Sequence, residues 1–174
     1  MTALQFRPAT EADIDAIVAL VTRAYRGEAS RAGWTTEADL LDGERIDPAL
    51  LRVDIGRPRN RVLLAFRDEA LVACAHVADA HGEGYFGMFA VEPRLQGAGI
   101  GRAVLAECER IAREEWRLPR VRMTVIDLRD ELIAWYGRLG YRRTGEYRPF
   151  PYGDARFGQP RRDDLRFEVL EKPL

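Results

Sequence analysis

Lysine is almost missing from this chain. Lys172 is the only one among 27 basic residues, and the rest are arginine. Cysteine is scarce too, with only Cys74 and Cys108. Two cysteines this far apart make neither a disulfide framework nor a C-x-x-C metal pair, so both are expected to be buried, reduced thiols, with no metal site. Neither sign of charge is in excess: 27 basic against 28 acidic residues leave a net charge of −1. That argues against a broad surface for nucleic acid or an anionic membrane, while leaving room for a local basic patch. No apolar stretch approaches the length of a membrane span. The start, Met1-Thr2-Ala3-Leu4-Gln5-Phe6-Arg7-Pro8, lacks the charged opening and long apolar core of a signal peptide. The expectation is a cytoplasmic protein with no membrane or nucleic-acid partner.

What is present suits one globular domain spanning residues 1–174: 47% hydrophobic and 32% charged residues over 174 positions. Leu4 to Arg7 reads as a strand stopped by Pro8. Thr10-Glu11-Ala12-Asp13 reads as a helix cap, followed by Ile14, Ile17, Val18, Val21 and Tyr25 at helical spacing and by Gly27 as a stop. Thr36-Glu37-Ala38-Asp39 is a second cap signature, predicting a short helix through Leu40 and Leu41. Asp47-Pro48 predicts another over Ala49 to Val53. Arg61 to Phe66, Ala70 to Ala78 and Tyr85 to Val91 are apolar runs parted by turn residues, a β meander. A helix follows, with Val104, Leu105, Cys108, Ile111, Ala112 and Trp116 as its stripe and Pro119 beyond its end. Val121 to Ile126 is a strand, Asp130 to Leu139 a helix ended by Gly140, and Tyr141 to Tyr147 and Leu165 to Leu170 are strands flanking a Pro/Gly-rich loop. The order implies an α/β domain, a mixed sheet with helices on both faces.

The most informative stretch is Gln96-Gly97-Ala98-Gly99-Ile100-Gly101-Arg102, between the Phe86–Val91 strand and a helix. A strand, a glycine loop and a helix N-terminus point backbone N–H groups, and the positive end of the helix dipole, at an anion. The loop lacks the Gly-Lys-Ser/Thr ending of a Walker loop, and its glycines run G-x-G-x-G where a dinucleotide fingerprint needs G-x-G-x-x-G. Taken alone it reads equally well as a tight turn.

The loop resembles the Q/R-x-x-G-x-G/A pyrophosphate loop of the GNAT family of N-acetyltransferases. The later stretch Ile133-Ala134-Trp135-Tyr136-Gly137-Arg138-Leu139-Gly140-Tyr141 resembles that family's Y-x-x-x-G-F/Y helix, and the element order resembles its fold. The resemblance implies a GNAT fold, a twisted, mostly antiparallel sheet of about six or seven strands with helices on both faces. It implies acetyl transfer from acetyl-CoA to a primary amine of a small molecule or peptide, by direct attack in a ternary complex, with no metal. Phe89, Ala90, Val91, Gln96, Gly97, Ala98, Gly99, Ile100, Gly101 and Arg102 would hold the cofactor. A backbone N–H near Phe89 or Ala90 would meet the developing charge on the acyl oxygen, and Tyr136 would protonate the leaving sulfur. By itself Tyr136 reads more readily as a packed core aromatic. Where the family often has Asn and Ala, seven and four residues before the tyrosine, this chain has Arg129 and Leu132; Arg129 would face solvent or a phosphate.

The acceptor side is less legible. Glu83, before the cofactor strand, is a candidate base, and His76 and His81 are weaker ones. Trp34, Glu37 and Tyr152 are candidate acceptor-binding groups, and Arg26 would suit a substrate carboxylate. Homodimerisation stays open. The alternative function is a regulatory module of the same fold that binds acyl-CoA without turning it over.

Overall fold

A computed structural model describes residues 2–174. In chain order its elements are β1 (Gln5–Pro8), α1 (Ile14–Tyr25), β2 (Leu41–Asp42), α2 (Pro48–Gly56), β3 (Asn60–Arg67), β4 (Ala70–Ala80), β5 (Glu83–Val91), α3 (Ile100–Arg110), β6 (Arg120–Ile126), α4 (Asp130–Arg138), β7 (Arg142–Pro149), β8 (Gln159–Pro160) and β9 (Arg166–Pro173). Seven strands form one sheet in the order β1-β3-β4-β5-β6-β9-β7, and β2 pairs with β8 as a separate ladder. Every neighbour pair in the large sheet is antiparallel except β5 with β6. This is the mixed sheet expected from the element order and the mostly antiparallel one that the family resemblance implied.

The meander strands are apolar throughout because both faces are covered. Val62 and Leu64 of β3 pack with Cys74, Ala90 and the Ile14, Ile17, Leu20 and Val21 stripe of α1. Their alternates, Leu63 and Ala65, pack on the opposite face with Val104, Leu105, Cys108 and Ile111. The cysteines are free and buried, and burial pushes the Cys74 thiol up to about 12. Asp47 caps α2 through its side chain, which accepts from Ala49 N at 2.7 Å and Leu50 N at 3.1 Å. The α3 helix gives way at Ile111 to a π turn, in which Trp116 N donates to Ile111 O at 3.1 Å.

One expected helix is absent. The amides of Leu40 and Leu41 both donate to Glu37 O, closing a single turn. The chain then straightens, and Leu41 and Asp42 pair with Pro160 and Gln159. The Thr36 cap signature loses because Glu37 is drawn into a buried ion cluster and Leu41 into a small core with Ile126, Phe150 and Leu165.

The feature that positions the site is a break in the sheet. Cys74 stands opposite Ala90, and His76 opposite Gly87, so two steps of β4 match three of β5. The extra residue is absorbed at Met88, whose φ is +45°. A bulge bends its strand and leaves backbone groups unpaired. Beyond Gly84 and Tyr85, which pair with Val121 and Arg122, β5 and β6 part. The opening between them is the cleft described next. Among the described residues no helix is long and apolar enough to cross a membrane, and no group of three or more His, Cys, Asp or Glu could hold a metal ion.

Candidate active site

The glycine loop leads directly into α3. Gly99 is the helix N-cap, in the left-handed region at φ +82° with open space about it. A side chain would strain this conformation and screen the free N–H groups of the first turn. Gly101 serves a different need: a Cβ there would come 3.1 Å from the Phe89 ring, so glycine lets α3 seat against β5. Together with the cap geometry, these glycines leave a helix N-terminus bare toward a groove of about 510 Å³.

Gln96, Gly97, Gly99, Gly101 and Arg102 form one end of that groove, Trp34 and Thr35 one wall, and Leu132, Trp135 and Arg138 of α4 the other. Phe89 and Val91 form part of its floor. Trp135 stacks on Phe89 with ring centroids 6.2 Å apart and meets Trp34 at 6.1 Å. Three residues expected at the cofactor do not line the groove with side chains: Ala90 and Ile100 are buried in the two cores, and Ala98 is exposed on the loop. Gln96 lines it but spends its side chain on the protein. Its Oε1 accepts from Trp34 N at 2.9 Å and Thr35 N at 3.3 Å, and its Nε2 donates to Thr35 Oγ1 at 2.9 Å and Val91 O at 3.1 Å. It rivets the wall to the glycine loop.

At the bulge the groove meets a smaller cavity of about 70 Å³, lined by Met88, Phe89, Tyr25, Arg45, Arg129 and Tyr136 among others. The Tyr25 hydroxyl donates to Phe89 O and so fixes the bulged strand. The Tyr136 ring is buried between Trp135 and Tyr141, with centroids at 5.0 and 5.7 Å. Burial pushes its hydroxyl well above the ordinary tyrosine value, so the group is protonated at neutral pH.

Beyond the bulge lies a third cavity of about 310 Å³, whose walls include His76, Asp54, Tyr85, Phe150, Phe157 and Phe167. His76 Nε2 is 3.0 Å from Asn60 Oδ1, and its Nδ1 is 3.9 Å from Asp54. Burial lowers the pKa of His76, against the pull of Asp54, which favours the neutral ring. Between the second and third cavities sits the ion cluster. Glu37 accepts from Arg26 Nη1 at 2.6 Å, and Arg45 Nε and Arg129 Nη1 lie 3.3 Å from it. Burial alone would raise the Glu37 pKa, but Arg45, Arg129 and Arg26 together outweigh it and hold the carboxyl below its usual value.

Other sequence-based expectations land elsewhere. Arg129 faces neither solvent nor the groove's anion end: it donates to Glu37 and to Thr35 O. Glu83 sits at the far end of β5, near Arg120 and Arg122 at 3.4 and 3.7 Å, and lines none of these three cavities. Trp34 walls the groove beside the glycine loop, and Glu37 is enclosed by arginines. Tyr152 is exposed, its hydroxyl donating to Arg162 O and accepting from Leu165 N. Sequence reasoning missed Tyr25, Arg45, Met88 and Trp135. A signal existed for two of them: Gly87 interrupts an apolar strand, which marks bulges, and Leu132, Trp135 and Arg138 recur at helical spacing.

Residues 15–141 match the model of the acetyltransferase (GNAT) family. No curated protein sequence matches the chain. Among solved structures, the ribosomal-protein-alanine N-acetyltransferase of Brucella melitensis superposes with a TM-score of 0.71 at 21% identity, over 98% of this chain and 99% of that one. The ribosomal-protein-S18-alanine N-acetyltransferase of Escherichia coli gives 0.70 at 17%, over 98% and 94%. The PaiA N-acetyltransferase of Thermoplasma acidophilum, in complex with coenzyme A, gives 0.71 at 16%, over 99% of both chains. At these identities the likeness to solved structures is one of fold.

Proposed function

The chain belongs to the acetyltransferase (GNAT) family, and from that premise we propose that it transfers the acetyl group of acetyl-CoA to a primary amine of a small molecule or peptide, by direct attack in a ternary complex. The observation that carries this reading is the continuity of the groove: it runs from a bare helix N-terminus to a bulged strand beside a buried tyrosine. The residues fit the co-substrate. The Gly97, Gly99 and Gly101 loop offers backbone N–H groups and the helix dipole to a pyrophosphate, and Arg102 adds charge beside it. Phe89, Trp34, Trp135 and Leu132 give the pantetheine arm an apolar channel. Acetyl-CoA supplies an activated thioester.

The acceptor's amine must arrive neutral, since only then is its lone pair free. Its nitrogen bonds the acyl carbon as the carbon–sulfur bond breaks; the nitrogen sheds a proton and the sulfur gains one. A backbone N–H of the bulge, at Phe89 or Ala90, donates to the negative charge gathering on the acyl oxygen. Tyr136 donates to the departing sulfur, a role its raised pKa suits because the proton is in place at neutral pH. Glu83 has no part in this proposal.

Thiol release from acetyl-CoA over a panel of amines tests the reading. Tyr136→Phe is expected to lower kcat about 10- to 100-fold while the dissociation constant for coenzyme A changes little. An unchanged kcat would remove Tyr136 from the acid role. Saturable binding of coenzyme A with no release on any amine would favour a regulatory binding module instead.

A further inference from the structure

The ion cluster at the bulge is unbalanced. Arg26, Arg45 and Arg129 converge on Glu37, three positive charges about one negative. Two of the arginines are little exposed and spend most of their donors on the protein, although Arg26 Nε has no hydrogen-bond partner among the described residues. Arg26 is buried, donating to Glu37 and to Glu44 O. Arg129 donates to Glu37 and Thr35 O. Arg45 is different. Its side chain is 31% exposed, its Nε lies 3.3 Å from Glu37, and its guanidinium lies over the Tyr25 ring at 4.9 Å. Among the described residues it pairs with no carboxylate other than Glu37. Arg45 lines both the 70 Å³ cavity at the bulge and the 310 Å³ cavity beyond it. A guanidinium fork at the edge of two cavities, its neighbouring charge already shared, suits a ligand carboxylate.

We propose that the acceptor is a free α-amino acid, or a close analogue, whose carboxylate is bound by Arg45 while its α-amine lies at the Met88 bulge beside Tyr136. This rests on the transferase reading above and names its acceptor class. Cavity size supports the α arrangement. Arg45, Met88 and Tyr136 line one small cavity of about 70 Å³, so a carboxylate on Arg45 and an amine at the bulge stand a short reach apart, as on one carbon. The remainder of the acceptor must extend into the larger cavity. There Phe150, Phe157, Phe167 and Leu50 offer an apolar lining, which favours a bulky apolar side chain. The same positive charge lowers the pKa of a nearby ammonium and so favours the neutral amine that the reaction needs. A peptide N-terminus carries an uncharged amide where the amino acid carries its carboxylate, so Arg45 selects against it.

The experiment compares three acceptors of one shape: L-phenylalanine, L-phenylalanine amide and phenethylamine, each scored by thiol release from acetyl-CoA, with a parallel leucine set. The amino acid is expected to exceed both others in kcat/KM by about 10-fold or more, the scale of one hydrogen bond to a charged partner. Arg45→Gln is expected to narrow that ratio to within about threefold by raising KM for the amino acid, and Arg45→Lys, which keeps the charge, to retain part of it. An amide or a decarboxylated amine used as well as the amino acid would overturn the proposal and leave the transferase reading intact. A preference that survives Arg45→Gln in a folded variant would overturn the role of Arg45. Coenzyme A binding with no release on any acceptor would overturn both readings. Should Arg45→Gln not fold, the comparison of acceptors on the unaltered protein and the Arg45→Lys ratio still decide.

Discussion

Replacing Glu37 by glutamine separates a structural anion from a substrate-binding one. In the fold, Glu37 and Arg26 are 6% and 4% exposed and 2.6 Å apart, and Arg129, at 3.3 Å, is 10% exposed. Solvent screening at these sites is slight. Glutamine keeps the shape but removes the only negative charge among three guanidiniums and points an N–H₂ group at one of them. Breaking a buried ion pair by removing one partner costs about 3–5 kcal/mol. For a chain of this size each kcal/mol moves the melting temperature about 2–4 °C. Glu37→Gln is therefore expected to melt about 6–20 °C below the unaltered protein, measured by calorimetry or circular dichroism. The acid limb should change with it. The Glu37 pKa is lowered in the fold, so its stabilisation is complete above its unfolded value, about 4.3, and is lost as pH falls below that. The variant should lack this component of acid sensitivity. A loss below about 1 kcal/mol, the scale of an exposed pair, together with a raised KM for the acceptor, would refute the structural reading. Glu37 would then be a ligand for the substrate's ammonium.

Gly99→Val would force a β-branched residue into φ +82°, at about 1–2 kcal/mol of backbone strain, and crowd the bare helix end. Calorimetry is expected to show coenzyme A binding weakened about 10-fold or more, and unchanged affinity would remove the loop from the cofactor site. Gln96→Ala deletes three hydrogen bonds between the glycine loop and residues 34–35, and a fourth to Val91 O. A loss of about 1–3 kcal/mol and faster amide exchange at Trp34 and Thr35 are expected; unaltered exchange would show that the wall stands without its rivet. Asp13 is held at about 2, chiefly by its hydrogen bond from Arg7, and it also accepts from Thr10 N. Its stabilisation is present above about 3.9 and fades as pH falls from there toward 2, so Asp13→Asn should flatten the stability curve in that window. An unchanged slope would refute the assignment.

Much of the fold is local and was legible. The periodic stripes of α1 and α3, the unbroken apolar strands of the meander and the Asp47-Pro48 cap each depend on residues within a few positions of one another, where spacing alone sets which face is buried. The glycine loop was legible for the same reason: strand, cap and helix N-terminus are contiguous in the chain. The Thr36 signature misled because a cap contributes about 1 kcal/mol, less than the ion cluster and the β2–β8 ladder that compete for the same residues.

The rest required the chain to close on itself. Arg129 reaches Glu37 across 92 positions, and Gln96 reaches Trp34 across 62. Nothing in the neighbourhood of either residue shows where its charge or amide will be satisfied. The bulge at Met88 and the Tyr25 hydroxyl that fixes it arise from the match of β5 to β4 and α1. So the sequence by itself determined the class of fold and the loop that suits a pyrophosphate, because these are written in spacing. The tertiary structure alone decided which cavity lies beyond the bulge and which arginine lines it from a partly exposed position, because burial forces distant charges to choose partners and leaves Arg45 the most exposed of the three about Glu37.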